Sequence, residues 1–370
     1  MALAVWQWWG ARRFPLHQAP PPPANPWPAV TLLKPLKGWE AATESCLRSW
    51  LDQTSTGPVQ ILFGVASPGD PAVAGVRALL AAYPGRDAEL VLCPEVLGAN
   101  AKVSTLIQLR RRARHPVLVI SDADVRVPAG FLGAALAPLA DPRVGLVNPF
   151  YCLANPGTLA LRWEALAINA DFWSQVLQGK SLQPLDFALG AVMVTRQEAL
   201  TKIGGFEGFV DHLADDFQLG HRIARAGWQI ALCPLVVECW SPPMGWAGVW
   251  GHQLRWARTI RVSKPVPYAL SGLGNLTVWA LLWLAVRPTP GVAVAVGAML
   301  SARMALAYDL QNRLRPGAAR LSEIWLAPVK DLLQGFLWLF AFLGNDIVWR
   351  GKRHRLLPDG RLQPVAEQSR

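Results

Sequence analysis

The sequence predicts an α/β fold, a mostly parallel sheet with helices on both faces, followed by C-terminal transmembrane helices. Three observations carry this. From Ala29 onward, short runs rich in β-branched residues alternate with helical stretches. Near residue 265 the composition changes and long apolar runs begin. The net charge of +11 collects around those runs and in Arg110 to Arg112.

Taken in order, the chain begins with an apolar stretch, Ala2 to Trp9, followed by Arg12-Arg13 and then Pro20 to Pro23. The apolar stretch is too short to span a bilayer and is expected to be an interfacial anchor or the tail of a longer helix. The prolines are expected to form a stiff linker. Its charge follows the apolar run, which argues against a signal peptide. Expected strands are Val30 to Leu33, Val59 to Val65, Glu89 to Leu92, Val117 to Ile120 and Val144 to Val147. Expected helices are Ala42 to Leu51, Pro71 to Tyr83, Lys102 to Ala113 and a stretch from Gly130. Strands buried on both faces between helices imply a parallel sheet, and such sheets bind ligands at their carboxyl ends.

Downstream, Tyr268 to Val286 is uncharged over about the thickness of a bilayer core. Thr289 to Ala302 follows and is cut short by Arg303, and Leu332 to Trp349 ends in the basic Arg350, Lys352, Arg353 and Arg355. The expected division is therefore a membrane-proximal segment over 1–28, a catalytic domain over 29–245 and a basic, Trp-rich interfacial helix over 246–265. About three membrane segments over 266–349 and a basic tail over 350–370 complete it. Five cysteines without a C-x-x-C pair point to a reduced, cytosolic catalytic domain. With no nucleic-acid module in the sequence, the positive charge points to lipid headgroups and substrate phosphates; no nucleic-acid partner is expected.

Three groups of residues carry chemistry. Asp122 and Asp124, in Ser121-Asp122-Ala123-Asp124, directly follow an expected strand. Carboxylates at i and i+2 can converge on one Mg²⁺ or Mn²⁺ ion, which takes diphosphate oxygens as further ligands. An ordinary acidic loop has the same local sequence, and the strand end favours the metal reading. Asp215 and Asp216 precede a helix expected to run to Ala226 and end at Gly227. They can cap it, or one can accept a proton from an attacking hydroxyl. Finally Arg255, Arg258, Arg261 and Lys264 recur every third residue ahead of the first apolar run. Arg255, in His252-Gln253-Leu254-Arg255-Trp256, is the one expected to face a diphosphate.

Together these motifs resemble the ceramide glucosyltransferases and their bacterial relatives in glycosyltransferase family 2. The similarity runs from about Val30 to Arg355. Its landmarks are Leu33-Lys34-Pro35-Leu36-Lys37-Gly38, Asn100-Ala101-Lys102-Val103-Ser104, Ser121 to Val127, Gly190-Ala191-Val192-Met193, Ala214-Asp215-Asp216-Phe217 and Leu254-Arg255-Trp256. The resemblance implies a GT-A type nucleotide-sugar-binding domain, a divalent metal, a UDP-sugar donor, an inverting mechanism, and a lipid acceptor reached from the cytoplasmic face of a bilayer. By position, Asp122 and Asp124 match the metal and donor motif and Asp216 the general base. Lys102, Asp215, Arg255 and Trp256 are expected at the donor.

Two departures stand out. Ser67 occupies a position where the family has an aspartate tied to nucleotide binding, with Asp70 three residues on, and His252 opens the motif that the family begins with Gln or Arg. The expected function is transfer of glucose or a related hexose to a membrane lipid, ceramide first. The alternatives are transfer to a hopanoid polyol or diacylglycerol, for example of N-acetylglucosamine, or a non-catalytic nucleotide-sugar-binding membrane protein. Polysaccharide synthesis ranks lower, because three short segments are few for an export channel.

Overall fold

A computed structural model of the chain describes residues 1–18, 27–54, 57–349 and 351–365; the expected Pro20 to Pro23 linker and Arg350 lie outside the described residues. Two compact units result. One comprises Leu16–Ala154 and Gln183–Pro242, the other Met1–Pro15, Asn155–Leu182 and Pro243–Arg370. Residues 155–182 thus group with the C-terminal helices, whereas the sequence carries the catalytic domain without a break from 29 to 245.

The first unit is built on eight strands: β1 (Val30–Leu36), β2 (Val59–Val65), β3 (Ala88–Leu92), β4 (Val117–Ser121), β5 (Val125–Arg126), β6 (Val144–Leu153), β7 (Val192–Arg196) and β8 (Gln229–Cys239). They form one sheet in the order β3-β2-β1-β4-β7-β6-β8-β5. The strands from β3 to β4 are parallel. Parallel neighbours need crossovers, supplied here by helices Thr43–Leu51, Pro71–Ala81 and Ala101–Arg110. β7 runs antiparallel to both β4 and β6, while β6 and β8 are parallel. Every residue of β4 is buried, as a strand covered on both faces requires, and Leu32, Leu47, Phe63, Val76 and Val119 belong to the same core. The N-terminal half of the sheet thus matches the expected alternation, and the reversal at β7 leaves β4 ending beside the 189–192 loop.

The second unit is helical: Ala2–Arg13, Leu159–Leu166, a π-helical turn over Ala167–Phe172, Trp173–Lys180, Trp246–Ser263, Pro265–Ser271, Leu276–Val286, Pro290–Leu314 and Leu326–Phe342. Among the described residues, two stretches are long and apolar enough to cross a membrane, Pro290–Leu314 and Leu321–Phe342. The pair Pro265–Gly274 and Leu276–Val286 would make a third span, bent by 55°. The bend falls at Gly272-Leu273-Gly274-Asn275, where Asn275 caps the following helix by accepting from the Val278 N–H. Exposed Trp283, Val294, Phe336 and Leu339 give these helices apolar outer surfaces.

Two apolar runs depart from expectation. Helix Pro290–Leu314 continues well past Arg303, which is buried and ion-paired. The third run does not stay helical to Trp349. The helix ends at Phe342, and β9 (Asp346–Trp349), β10 (Lys352–Leu356) and β11 (Leu362–Pro364) form an antiparallel sheet. The expected basic tail therefore contributes two strands: Gly351 turns the chain at φ +79°, and Arg355 Nε donates to Asp346 Oδ1 at 2.9 Å.

Candidate active site

The carboxyl end of β4 delivers Asp122, and the short helix Ala101–Arg110 delivers Lys102 to the same place. Asn100 caps that helix, accepting from the Lys102 and Val103 N–H groups, while its own side-chain amide donates to the His212 carbonyl at 2.8 Å. One residue therefore ties the Lys102 turn to the loop that leads into Asp215-Asp216. The result is a three-membered ion cluster. Lys102 Nζ lies 2.7 Å from Asp122 Oδ1 and 2.9 Å from Asp215 Oδ2. Burial disfavours the ammonium, but the two carboxylates outweigh it and hold Lys102 above the usual lysine range.

Asp216 stands second in the helix Asp215–Arg225 and accepts from the Phe217 N–H at 2.7 Å. Burial first, then the adjacent Asp215, raises its carboxyl to about 6. Gly190 explains why the Gly-Ala-Val-Met motif matters, because a Cβ there would sit 2.7 Å from Asp216 Oδ2. That loop is held by Asn148, fully buried on β6, which donates to the Leu189 and Val192 carbonyls, and Ala191 in turn accepts from the Asp122 N–H. Asp124 is open to water, yet the surrounding cleft walls and then Asp122 push its carboxyl up to about 6.

Beneath Asp122 lies a residue that in the sequence stands out only as part of Leu33-Lys34-Pro35-Leu36-Lys37-Gly38. Lys34, completely buried on β1, donates to the Asp122 carbonyl at 2.5 Å and to Ser121 Oγ at 3.1 Å. Burial lowers it to about 8, with Cys46, Asp124 and Asp122 opposing. Trp50 Nε1 donates to the Val125 carbonyl, so both ends of the Asp122 to Val125 turn are held from below. A lysine in the middle of an apolar strand was the available signal.

The residues suit a divalent ion. Asp122 and Asp124 offer hard oxygen donors two residues apart at the end of β4. Among the described residues no group of three or more His, Cys, Asp or Glu surrounds one point, so two protein carboxylates and donor oxygens are the fitting ligand set. Asp70 does not stand in simply for the aspartate missing at Ser67. Its Oδ1 accepts from the Ala72 N–H, capping Pro71–Ala81, and from the Gly38 N–H.

Arg255 and Trp256 belong to the helical unit, on Trp246–Ser263. His252 Nδ1 lies 2.6 Å from Glu164 Oε1, the same oxygen that accepts from Gln253 Nε2 at 2.8 Å, and its ring packs 4.4 Å from that of Trp256. His252 therefore anchors the R-W turn to a buried glutamate on Leu159–Leu166, a partner 88 residues away that no local motif marks. Arg258 and Arg261 bond the Asp346 carbonyl and Asn345 Oδ1, so part of the expected cationic stripe is used within the unit.

The chain is 24% identical over 349 residues to ceramide glucosyltransferase 3 of Caenorhabditis elegans, covering 91% of this chain and 74% of that protein. It is 23% identical over 357 residues to ceramide glucosyltransferase 1 of the same organism, covering 94% and 75%. Among solved structures, the mannosyltransferase PcManGT of Pyrobaculum calidifontis, in complex with GDP-Man and Mn²⁺, superposes with a TM-score of 0.56 at 20% identity, over 90% of this chain and 95% of that one. That likeness establishes the GT-A type fold. The profile of glycosyl transferase family 21 matches residues 1–362, assigning family 21 where the motifs alone had pointed to family 2, so the chain belongs to glycosyl transferase family 21.

Proposed function

We propose that the protein transfers a hexosyl group, glucose first among candidates, from a UDP-sugar to the primary hydroxyl of a membrane lipid of the ceramide type. The single observation that carries this is the Lys102, Asp122, Asp215 cluster at the carboxyl end of β4, with Asp216 beside it. Ceramide is the acceptor named for both nematode relatives, and the long apolar helices of the second unit suit a substrate that lives in a bilayer. All five cysteines are free, which supports a catalytic unit on the cytoplasmic side.

In this reading Asp122 and Asp124 would hold Mg²⁺ or Mn²⁺, which would supply positive charge to the donor diphosphate. Asp216 takes the proton of the lipid hydroxyl as its oxygen bonds to the anomeric carbon and the carbon–oxygen bond to UDP breaks, with inversion. A carboxyl raised to about 6 is deprotonated at neutral pH and more basic than an ordinary aspartate, as a general base needs. Lys102 fixes Asp122 and Asp215 and balances charge beside the departing UDP. Arg255 and Trp256 are assigned to the diphosphate and the acceptor end. Lys34 keeps the Asp122 turn in place from below.

The test is UDP release by detergent-purified protein from UDP-glucose and UDP-N-acetylglucosamine, with Mg²⁺ or Mn²⁺, with and without ceramide, a hopanoid polyol or diacylglycerol. Release that depends on both metal and ceramide is expected. Asp216→Asn is expected to lower turnover by about 10²- to 10⁴-fold with donor binding retained. Folded wild-type protein that releases no UDP with any lipid would favour the non-catalytic alternative, for which Ser67 and the prior use of Asp70 Oδ1 are the supporting observations.

A further inference from the structure

After its last apolar stretch the chain returns to the helix that carries Arg255 and Trp256. Arg258 donates to the Asp346 carbonyl and Arg261 to Asn345 Oδ1, so the turn behind Phe342 is tied to the second half of Trp246–Ser263. Arg255, Arg258 and Arg261 keep that helix at a membrane surface and out of hydrocarbon. The residues between its end and Asn345 therefore leave one side of the bilayer and come back to it, crossing an even number of times. The sheet of β9, β10 and β11 lies on that same side.

Between helix and sheet is a hollow of about 500 Å³, lined by Arg258, Leu343, Gly344, Asn345, Asp346 and Arg355. One carboxylate stands among its cations. Asp346 pairs with Arg355 at 2.9 Å, and the charges of Arg258 and Arg353 act on it as well. One negative charge against three positive ones, with Arg261 a turn away, leaves cations in excess, and the hollow suits an anion. The pleat of β10 adds to this. His354 and Leu356 are buried with Ile347 and Leu362 on the inner face, while Arg353 and Arg355 are exposed on the outer one, Arg353 opposite the exposed Val348. Leu343, 75% exposed, forms part of the wall of the hollow, and the exposed Leu339 and Phe342 precede it on their helix. A free phosphate needs only the arginines. Apolar side chains left open beside them are what a surface in contact with lipid requires.

We propose that this hollow, with the outer face of β10, binds the phosphate of an anionic phospholipid in the leaflet beside Trp246–Ser263. The phospholipid is a bound ligand and not the acceptor of a sugar. Its phosphate bonds to Arg258 and Arg355, its net charge offsets the excess of cations, and its chains run along Leu339, Phe342 and Leu343. A lipid so placed holds the end of the last apolar helix and the Arg255-Trp256 helix to one leaflet. The proposal does not rest on the transferase reading above.

The experiment uses the full chain in an uncharged detergent and a photoreactive phosphatidylglycerol, without donor sugar, with unlabelled phosphatidylglycerol, phosphatidylcholine and inorganic phosphate as competitors. Labelling is expected in peptides spanning residues 339–356, displaced by phosphatidylglycerol and not by the other two at the same concentration. A cation beside an anionic lipid surface is worth about fivefold in binding, so Arg353→Gln is expected to weaken binding about fivefold and Arg353→Gln with Arg355→Gln about twentyfold. Arg353 is exposed, and its single variant keeps the test open if the double variant does not fold. Arg86→Gln, the same change of charge at an exposed position of the sheet unit, is expected to leave binding unchanged. Equal binding by wild type and Arg353→Gln, an equal loss in Arg86→Gln, or displacement by phosphatidylcholine as readily as by phosphatidylglycerol overturns the proposal. Displacement by inorganic phosphate as readily as by phosphatidylglycerol shows a site for small anions and overturns it too. No turnover enters the readout, so a wild type that binds phosphatidylglycerol as expected but releases no UDP with any acceptor would sink the transferase reading alone.

Discussion

Both units hold a cluster of opposite charges, partly open to water in the sheet unit and buried in the helical one, and the two are built differently. In the sheet unit four carboxylates, Asp122, Asp124, Asp215 and Asp216, meet two ammonium groups, Lys34 and Lys102. In the helical unit two carboxylates, Asp171 and Asp331, meet two cations, Arg303 and Lys330. In the first cluster carboxylates outnumber cations, and burial first, then the neighbouring carboxylate, raises Asp124 and Asp216 to about 6. The second is closed. The proposed function places a cation and a diphosphate at the open acidic cluster at a strand end; the closed one within apolar helices has each of its charges paired.

The contrast can be broken most forcefully in the closed cluster. Asp331→Asn leaves Arg303 and Lys330 sharing one carboxylate in an apolar surround, and removing one partner of such a set typically costs about 3–5 kcal/mol. Thermal melting in detergent is expected to show a large drop. A variant as stable as wild type would mean that the cluster is wet and the comparison false.

A smaller effect sharpens the difference. Lys102→Met removes the counter-charge of Asp122 and Asp215, and a cation from solution can replace it. Lys330→Met removes a counter-charge that solution cannot replace. Saturating Mn²⁺ at about a hundred times its Kd is expected to return about 2.7 kcal/mol to the first variant. It should do nothing for the second. Equal rescue of the two, or of neither, would show that openness to cations does not separate the clusters.

The smallest effect is a pH profile. Asp216 takes up its proton as pH falls through about 6, and the protonated acid cannot accept another from the lipid hydroxyl. With metal saturating, kcat is expected to be flat above neutrality and to fall about tenfold per pH unit below 6. Gly190→Ala, which crowds Asp216, is expected to lower the plateau and move that limb, whereas Asp331→Asn is expected to leave its position alone. A limb that stays put in Gly190→Ala would detach Asp216 from it.

Much of this protein could be read along the chain. The strand Val117–Ser121 followed by Asp122 and Asp124, the acidic start of Asp215–Arg225, and its stop at Gly227 with φ +95° all depend on neighbours within a few residues. Apolar periodicity and helix punctuation report such local order well. The three-stranded sheet at 346–364 was legible less clearly, because Asp346 to Trp349 continues an apolar run and only its pairing with basic β10 makes it a strand.

What the sequence determined by itself was the fold class, the apolar runs and the identity of the acidic pairs. It ended the second apolar run at Arg303, since a lone arginine in hydrocarbon is costly, and it left His252 as an unexplained departure. Only the tertiary structure decided those points, by bringing Asp171 from 132 residues away to Arg303 and Glu164 from 88 residues away to His252. The reason is physical. Whether a buried charge is a break in a helix or its anchor depends on the partner that neutralises it, and that partner is chosen by packing between distant segments, which no local spacing records.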